Sequence, residues 1–326
     1  MRREFGRIVF LAMFLVGCST ATQRARQAME RGDHAAARQA LEPAAEKGDT
    51  EAQYLMGLMF DEGMGAARDD AQAMHWYRRA AELGHPAAQN NLGLMLHEGR
   101  GCDRELAEAA HWFDLATEQG FAKAQCNRGV MYLFGEGGAR DFELARHLLR
   151  SAADQGDAKA QRVLGSIYEE GIGTPKDDHK AARWFLAAAQ QGDAGAQFRL
   201  GLMDFRGRNP AGDEHTALRW FRQAAENGLA EAQFHVGWMY LVGRAVDNDD
   251  AEATRWLQRA ADQDLAIARH ALGLVRLRGR GLEPDRAEAE RLFAVAAQQG
   301  LPAAEQALRK LQHVGGDAAV PAAPGR

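Results

Sequence analysis

One interval governs this sequence: residues of the same type recur every 36 positions between residues 50 and 301. The two clearest columns are Gln53, Gln89, Gln125, Gln161, Gln197, Gln233 and Arg269, and Gly57, Gly93, Gly129, Gly165, Gly201, Gly237 and Gly273. The spacing is never broken by an insertion. Self-similarity at such a period is the signature of a repeat array, and a chain of 326 residues is longer than one ordinary core requires.

Further columns define the inside of each repeat. They are Gly63, Gly99, Gly135, Gly171, Gly207, Gly243 and Gly279; Ala73, Ala109, Ala145, Ala181, Ala217, Ala253 and Ala289; Trp76, Trp112, Leu148, Trp184, Trp220, Trp256 and Leu292; and Gly84, Gly120, Gly156, Gly192, Gly228, Asp264 and Gly300. This order predicts a helix, a glycine loop, a second helix and a turn. The seven repeats then span residues 50–85, 86–121, 122–157, 158–193, 194–229, 230–265 and 266–301.

Packing follows from the same columns. Ala at position 3 and Gly at position 8 of each repeat are expected to let neighbouring backbones approach closely. Acidic pairs such as Asp69-Asp70 and Asp177-Asp178 suit the start of the second helix, where they cap exposed amides. The Ala and Trp columns form an apolar stripe along that helix. Since one hairpin cannot bury both of its faces, the repeats must stack on one another.

The pattern AQxxLGxxYxxGxGxxxDxxxAxxWxxxAAxxG closely resembles Sel1-like repeats, a subclass of the tetratricopeptide superfamily. The first repeat reads AQYLMGLMFDEGMGAARDDAQAMHWYRRAAELG, and the resemblance covers residues 50–301. It implies an all-α fold, a right-handed α-solenoid of helix-turn-helix repeats. Residues 24–49 look like a shorter, degenerate hairpin that caps the array. Residues 302–312 are expected to form a closing helix, and the Gly/Ala/Pro-rich residues 313–326 a disordered tail.

The first residues are typical of an export signal. Three arginines within residues 2–7 precede the apolar run 8–16, which is too short to span a bilayer. The run ends in Leu15-Val16-Gly17-Cys18, which resembles a bacterial lipobox, so residues 1–17 would be removed and residues 18–49 would hold the anchor, a linker and the capping hairpin. The resemblance implies acyl chains on Cys18 and, because Ser19 follows rather than Asp, an outer-membrane lipoprotein facing the periplasm of a Gram-negative bacterium. The alternative is a secretory peptide cleaved near Ala21, with Cys18 incidental.

Composition and motifs argue against several functions. The net charge is −5 and no basic tract occurs, so nucleic acid is not an expected partner. His75, His111 and His147 share one column, but the later repeats place Arg183, Arg219, Arg255 and Arg291 there. Such a column indicates a solvated helix position rather than a metal site. No nucleophile or nucleotide motif is found, so neither catalytic residues nor a cofactor are expected.

Cys102 and Cys126 remain to be explained. They could pair in an oxidising periplasm, because Cys102 lies in the loop of repeat 2 and Cys126 in the first helix of repeat 3. Cysteine-rich Sel1-like proteins carry a Cys pair in each repeat, and some are described as binding or slowly hydrolysing β-lactams. This sequence lacks the repeated pairs. A protein that binds or hydrolyses β-lactams or peptidoglycan is therefore the alternative to a non-enzymatic scaffold.

Columns that vary within the first helices are free to encode a partner. Stacked first helices normally line the concave face of such arrays, and positions there supply Asn127, Arg162, Phe198, Arg199, Phe234 and Trp238. Phe198, Phe234 and Trp238 are expected to form an aromatic patch, which binds a partner if it is exposed; the alternative, above all for Trp238, is burial in ordinary inter-repeat packing. The leading hypothesis is a membrane-tethered scaffold that binds an envelope protein or peptide in this groove.

Overall fold

The computed structural model describes residues 20–65, 67–280 and 283–316, and these contain seventeen α-helices and no strand. The helices are α1 (Thr20–Glu30), α2 (His34–Glu46), α3 (Thr50–Asp61), α4 (Asp70–Glu82), α5 (Pro86–Glu98), α6 (Leu106–Glu118), α7 (Ala122–Phe134), α8 (Phe142–Asp154), α9 (Ala158–Glu170), α10 (Asp178–Gln190), α11 (Ala194–Phe205), α12 (Glu214–Glu226), α13 (Ala230–Val242), α14 (Asp250–Asp262), α15 (Ala266–Arg278), α16 (Arg286–Gln298) and α17 (Pro302–Gly316). The predicted signal peptide and Cys18 lie outside the described residues.

The helices belong to two compact units, Met1–Asp157 and Ala158–Arg326. In the amino-terminal unit the hairpin α1/α2 is followed by repeats 1 to 3, which are α3/α4, α5/α6 and α7/α8. In the carboxy-terminal unit repeats 4 to 7 are α9/α10, α11/α12, α13/α14 and α15/α16, and α17 packs on α16. Each repeat is one helical hairpin packed on the next within its unit, so the predicted all-α stack of hairpins is confirmed.

The ends of the helices follow the predicted signals. Asp69 and Asp177 are the N-caps of α4 and α10, and their carboxylates accept hydrogen bonds from backbone amides in the first turn. Five first helices are followed directly by a glycine in the left-handed conformation, which a residue with a Cβ adopts only at a cost: Gly99, Gly135, Gly171, Gly243 and Gly279. The loops and turns predicted from sequence are therefore set by ordinary capping chemistry.

The glycine column at position 8 serves a contact that differs from the expected one. A Cβ on Gly165 would lie 2.6 Å from Cδ1 and Cε1 of Phe185, which is on the second helix of the same repeat. The same contact occurs in all seven repeats, against Tyr77, Phe113, Leu149, Phe185, Phe221, Leu257 and Phe293. These side chains are at most 1% exposed. The glycines therefore mainly make room for a large side chain inside each hairpin, rather than for the backbone of a neighbouring repeat.

The glutamine column joins successive repeats. Gln89 Nε2 donates to the carbonyl of Ala81 in the preceding repeat at 3.2 Å, and Gln233 Nε2 donates to that of Ala225 at 3.1 Å. Repeat 7 has Arg269 at this position, and its guanidinium pairs with Asp264, which replaces the closing glycine and adopts a φ of 65°. The two departures from the pattern thus compensate each other at one junction.

The two ends of the array are helical where they are described. The hairpin α1/α2 lies within residues 18–49. Helix α17 begins at Pro302 and ends at Gly316, four residues beyond the predicted end of the closing helix, so residues 313–316 of the predicted disordered tail are helical. Residues 317–326 of the predicted tail lie outside the described residues. Among the helices that the structure describes, none combines the length and apolar character needed to cross a membrane.

Candidate functional site

The polar candidates from the first helices are engaged with their own neighbours. In the amino-terminal unit, Asn127 Nδ2 donates to Asn90 Oδ1 at 2.9 Å. In the carboxy-terminal unit, the Arg162 guanidinium pairs with Asp193 at 3.1 Å. Asp193 is also the N-cap of α11, so Arg162 in the first helix of repeat 4 binds the residue at which the first helix of repeat 5 begins. These contacts connect repeats within each unit and leave less of each side chain for a partner.

Arg199 belongs to a charged cavity of about 580 Å³ between repeats 4 and 5. Its guanidinium lies 2.8 Å from carboxylate oxygens of both Glu169 and Glu170, and Glu169 is only 8% exposed. Arg208 completes the network by pairing with Glu169 and Asp178, and it lowers the pKa of Asp178 through a hydrogen bond. The cavity also includes Lys176, so three cations balance three carboxylates. The formal charges of the cavity therefore cancel.

Position 12 of one repeat contacts position 15 of the next repeat, so the two residues of each pair are 39 positions apart. They are Asp61 with Arg100 at 2.6 Å, His97 with Glu136 at 2.7 Å, Glu169 with Arg208 at 2.9 Å, the Phe205 ring with the Arg244 guanidinium 4.5 Å from its centroid, and the Leu241 carbonyl with Arg280 at 2.9 Å. The residue types vary, but each pair is complementary. The residues at these two positions therefore vary together and keep successive repeats in contact. A variable position is not by itself evidence of a partner-binding surface.

An aromatic cluster fills the junction of repeats 5 and 6. His235 is stacked on Phe221 with ring centroids 4.9 Å apart, and Phe198 contacts both rings at 5.5 and 5.7 Å. Phe205 meets Trp238 edge to face at 5.9 Å. Phe221 is fully buried and the other four side chains are half-buried. Phe198 thus packs against Phe221 and His235, and its part in partner binding stays a prediction.

His235 gives this cluster a pH dependence. Burial, helped by the Arg206 charge, lowers its pKa from 6.5 to about 4, so the folded protein holds a neutral ring. The unfolded chain binds a proton below about pH 6.5, and stability should therefore fall as the pH drops from there toward 4. From pH 7 to pH 5 the expected loss is about 2 kcal/mol. Urea unfolding should show that the loss from pH 7 to pH 5 is about 2 kcal/mol smaller in His235→Leu than in the natural protein. Replacing the exposed His111 by Leu should leave the loss unchanged.

Next to this cluster lies an open pocket of about 280 Å³ between α13 and α15. Its apolar lining includes Phe234, Trp238, Leu241, Ile267 and Leu274. Ile267, at the start of α15, is 42% exposed. His270 adds an imidazole whose pKa is lowered by burial, so it is neutral near pH 7. The exposed Arg278 and the Asp250-paired Arg280 stand beside the apolar lining.

The structure thus sorts the six predicted binding residues into different places. Phe234 and Trp238 line one pocket, and Trp238 is half-buried rather than fully exposed or fully buried. Phe198 lies in the aromatic cluster, Arg162 and Arg199 lie in ion pairs, and Asn127 lies in the other unit.

Ile267 and Arg278 complete the pocket and were not predicted. The sequence could have indicated both residues. Ile occurs at position 2 only in repeat 7, and Arg278 stands at position 13, where repeats 1, 2 and 4 have Glu.

The cysteines and histidines offer no catalytic arrangement in the part of the chain that is described. Cys102 is half-buried with its thiol pKa raised by burial, Cys126 is buried, and they are not bonded to each other. Their pairing stays a prediction. The His/Arg column is exposed in all seven repeats, as predicted for a solvated position. Over residues 20–65, 67–280 and 283–316 no group of three or more His, Cys, Asp or Glu could hold a metal ion.

Comparison with known proteins gives matches over the whole array. The Sel1 repeat family matches seven consecutive segments, residues 50–85, 86–121, 122–157, 158–193, 194–229, 230–265 and 266–301. The chain is 32% identical to c5321, a protective antigen present in uropathogenic Escherichia coli strains that displays an SLR fold, over 89% of this chain and 67% of that one (TM-score 0.72). It is 30% identical to a Sel1 repeat protein from Oxalobacter formigenes, over 90% and 91% of the two chains (TM-score 0.66). No curated protein matches the chain.

Proposed function

The chain belongs to the Sel1 repeat family, whose solenoids commonly mediate protein–protein interaction, and from that premise we propose that it is a lipid-anchored interaction scaffold of the bacterial cell envelope. It binds a partner polypeptide on the face formed by the first helices of its carboxy-terminal unit. The anchor is Cys18, and the location is the periplasmic side of the outer membrane. No catalytic step is part of this proposal.

The observation that carries the proposal is the pocket between α13 and α15. It is apolar, open to solvent and rimmed by cationic groups, whereas the charged cavity between repeats 4 and 5 already balances its own charges. Half-buried aromatic side chains such as Phe234 and Trp238 are the residues that most often dominate binding energy at protein interfaces. The residues of the fixed columns pack inside and between the hairpins, so they do not cover the pocket.

Affinity capture from detergent-solubilised envelopes tests the binding face. Ile267→Glu should abolish or strongly reduce capture of a polypeptide, because a buried charge opposes docking of an apolar side chain. The fold should survive, since Glu51 and Glu231 occupy the same position in repeats 1 and 6. Arg183→Glu, on the exposed column of the second helices, is the matched control and should capture normally. Loss of capture with Arg183→Glu and not with Ile267→Glu would contradict the proposed face and indicate that the partner binds the second helices.

Anchoring is tested at Cys18. Replacing it with Ala should prevent acylation and leave either an uncleaved precursor or a form released from the membrane, because the acyl chains are the proposed attachment. Labelling with radioactive palmitate and separation of membrane from periplasm would measure both effects. Palmitate incorporation that persists in Cys18→Ala would contradict the proposed anchor.

A further inference from the structure

The pocket between α13 and α15 also indicates what it binds. We propose that it receives one large apolar side chain of a partner polypeptide, and that a carboxylate beside that side chain pairs with Arg278. This inference rests on the proposed function and adds the chemistry of the partner. It concerns only residues of repeats 6 and 7, which lie in the same unit.

The size of the pocket limits the occupant. Small-molecule sites usually enclose about 300–1,000 Å³ and surround most of the ligand, whereas this pocket of about 280 Å³ is open. A cavity of about 150 Å³ is enough to hold a benzene ring. The pocket therefore has room for one large apolar side chain rather than for a cofactor. Its walls, formed by Phe234, Trp238, Ile267 and Leu274, offer such a side chain aromatic and aliphatic contacts.

The charge at the rim selects the neighbouring residue. Arg280 is held by Asp250, with guanidinium-to-carboxylate distances of 2.6 and 3.1 Å, so it already has its counter-ion. Arg278 is exposed in the last turn of α15, and no carboxylate of the described residues pairs with it. No acidic side chain lines the pocket either. A guanidinium in this position favours a carboxylate on the occupant, with which it can form two parallel hydrogen bonds.

The chain itself supplies substitutions that should leave the fold intact. Position 13 is Glu62, Glu98 and Glu170 in repeats 1, 2 and 4, so Arg278→Glu places a residue that the repeat accepts there. Ile267→Glu is accepted for the corresponding reason at position 2. Arg183→Glu makes the same change of charge as Arg278→Glu on an exposed second-helix position away from the pocket. Circular dichroism and thermal unfolding should be alike for the three variants.

The test is selection of a random heptapeptide phage library on the purified protein, followed by affinity measurements with synthetic copies of the enriched peptides. We expect peptides that join a large apolar residue to Asp or Glu. Their affinity should fall at least about tenfold with Ile267→Glu and with Arg278→Glu, and stay unchanged with Arg183→Glu. Exchanging the peptide's acid for Lys should reverse the preference, so that Arg278→Glu binds it better than the natural protein. Copies with amidated and free carboxyl ends separate a side-chain carboxylate from a terminal one.

The other outcomes separate the two proposals. The enriched peptides could carry no acidic residue, lose affinity with Ile267→Glu and bind Arg278→Glu normally. That result would contradict the proposed pairing of a carboxylate with Arg278 and would still support the proposed binding face. Peptides that bind Ile267→Glu as well as the natural protein would overturn the pocket itself. If no peptide is enriched while capture of a natural polypeptide still depends on Ile267, the inference about a short acidic–apolar motif is wrong and the scaffold function is kept.

Discussion

Replacing Phe221 with alanine is expected to destabilise the carboxy-terminal unit by about 3–5 kcal/mol. Phe221 is fully buried, and its ring packs so closely on Gly201 that a Cβ added there would lie only 2.8 Å from it. The rings of Phe198 and His235 pack on the same side chain. Removal of the ring opens a cavity inside the hairpin of repeat 5 and removes the surface on which two half-buried rings pack. Urea unfolding followed by circular dichroism would measure the loss.

Phe234→Ala is the matched control for this prediction. Phe234 is half-buried and lines the open pocket, so its truncation should cost far less stability but should reduce capture of the partner. The expected contrast is a structural defect for Phe221→Ala and a binding defect for Phe234→Ala. Equal losses of stability would show that Phe234 belongs to the core and that the pocket is only a surface irregularity.

Gly165→Val is expected to destabilise the same unit by about 3 kcal/mol. A Cβ at this position would lie 2.6 Å from two atoms of the buried Phe185 ring, and the two added methyl groups increase the overlap. Alanine normally stabilises a helix relative to glycine by about 1 kcal/mol, so even Gly165→Ala tests whether the overlap outweighs the helix preference. Thermal unfolding of the two variants should give a graded loss.

Gly195→Ala supplies the comparison in the neighbouring first helix. There the added Cβ would be 3.0 Å from Cδ of Arg162 and 3.3 Å from Oδ1 of Asp193, so it meets only the ends of side chains, and a shift of a few tenths of an ångström removes the overlap without breaking their ion pair. This variant should be as stable as the natural protein or slightly more stable. If Gly165→Ala and Gly195→Ala behave alike, the glycine column is not sterically tight and its recurrence needs another explanation.

Much of the fold could be predicted because the period fixes both the number of helices and their ends. Each repeat begins at a predicted boundary, and Asp69 and Asp177 cap the helices that they were expected to cap. The column that contains Phe185 and Phe221 was overlooked because it sits directly after the more conspicuous tryptophan column. Only the packing of a hairpin reveals that the side chain directly after each tryptophan, aromatic or leucine, is the more buried of the two and rests on the glycine of the first helix.

The candidate site was predicted less completely, for a physical reason. Variable positions are free to bind a partner, but they are equally free to bind the adjacent repeat, and the partners of Arg162 and Arg199 lie about thirty residues away in sequence. Which residues pair at that separation in sequence depends on the packing of one hairpin on the next. Phe234 and Trp238 were found because they stand out as aromatic, while Ile267 and Arg278 needed the shape of the pocket to be noticed.

The most direct test of the scaffold function is site-specific photo-cross-linking in the cell that produces the protein. A benzoylphenylalanine placed at residue 267 should form a covalent adduct with a polypeptide on irradiation, because that side chain stands at the edge of the proposed binding pocket. The same group placed at residue 183, on the exposed face of α10, should form none. An adduct at residue 183 together with none at residue 267, or no polypeptide adduct at either position, would contradict the proposal that this face binds a protein partner.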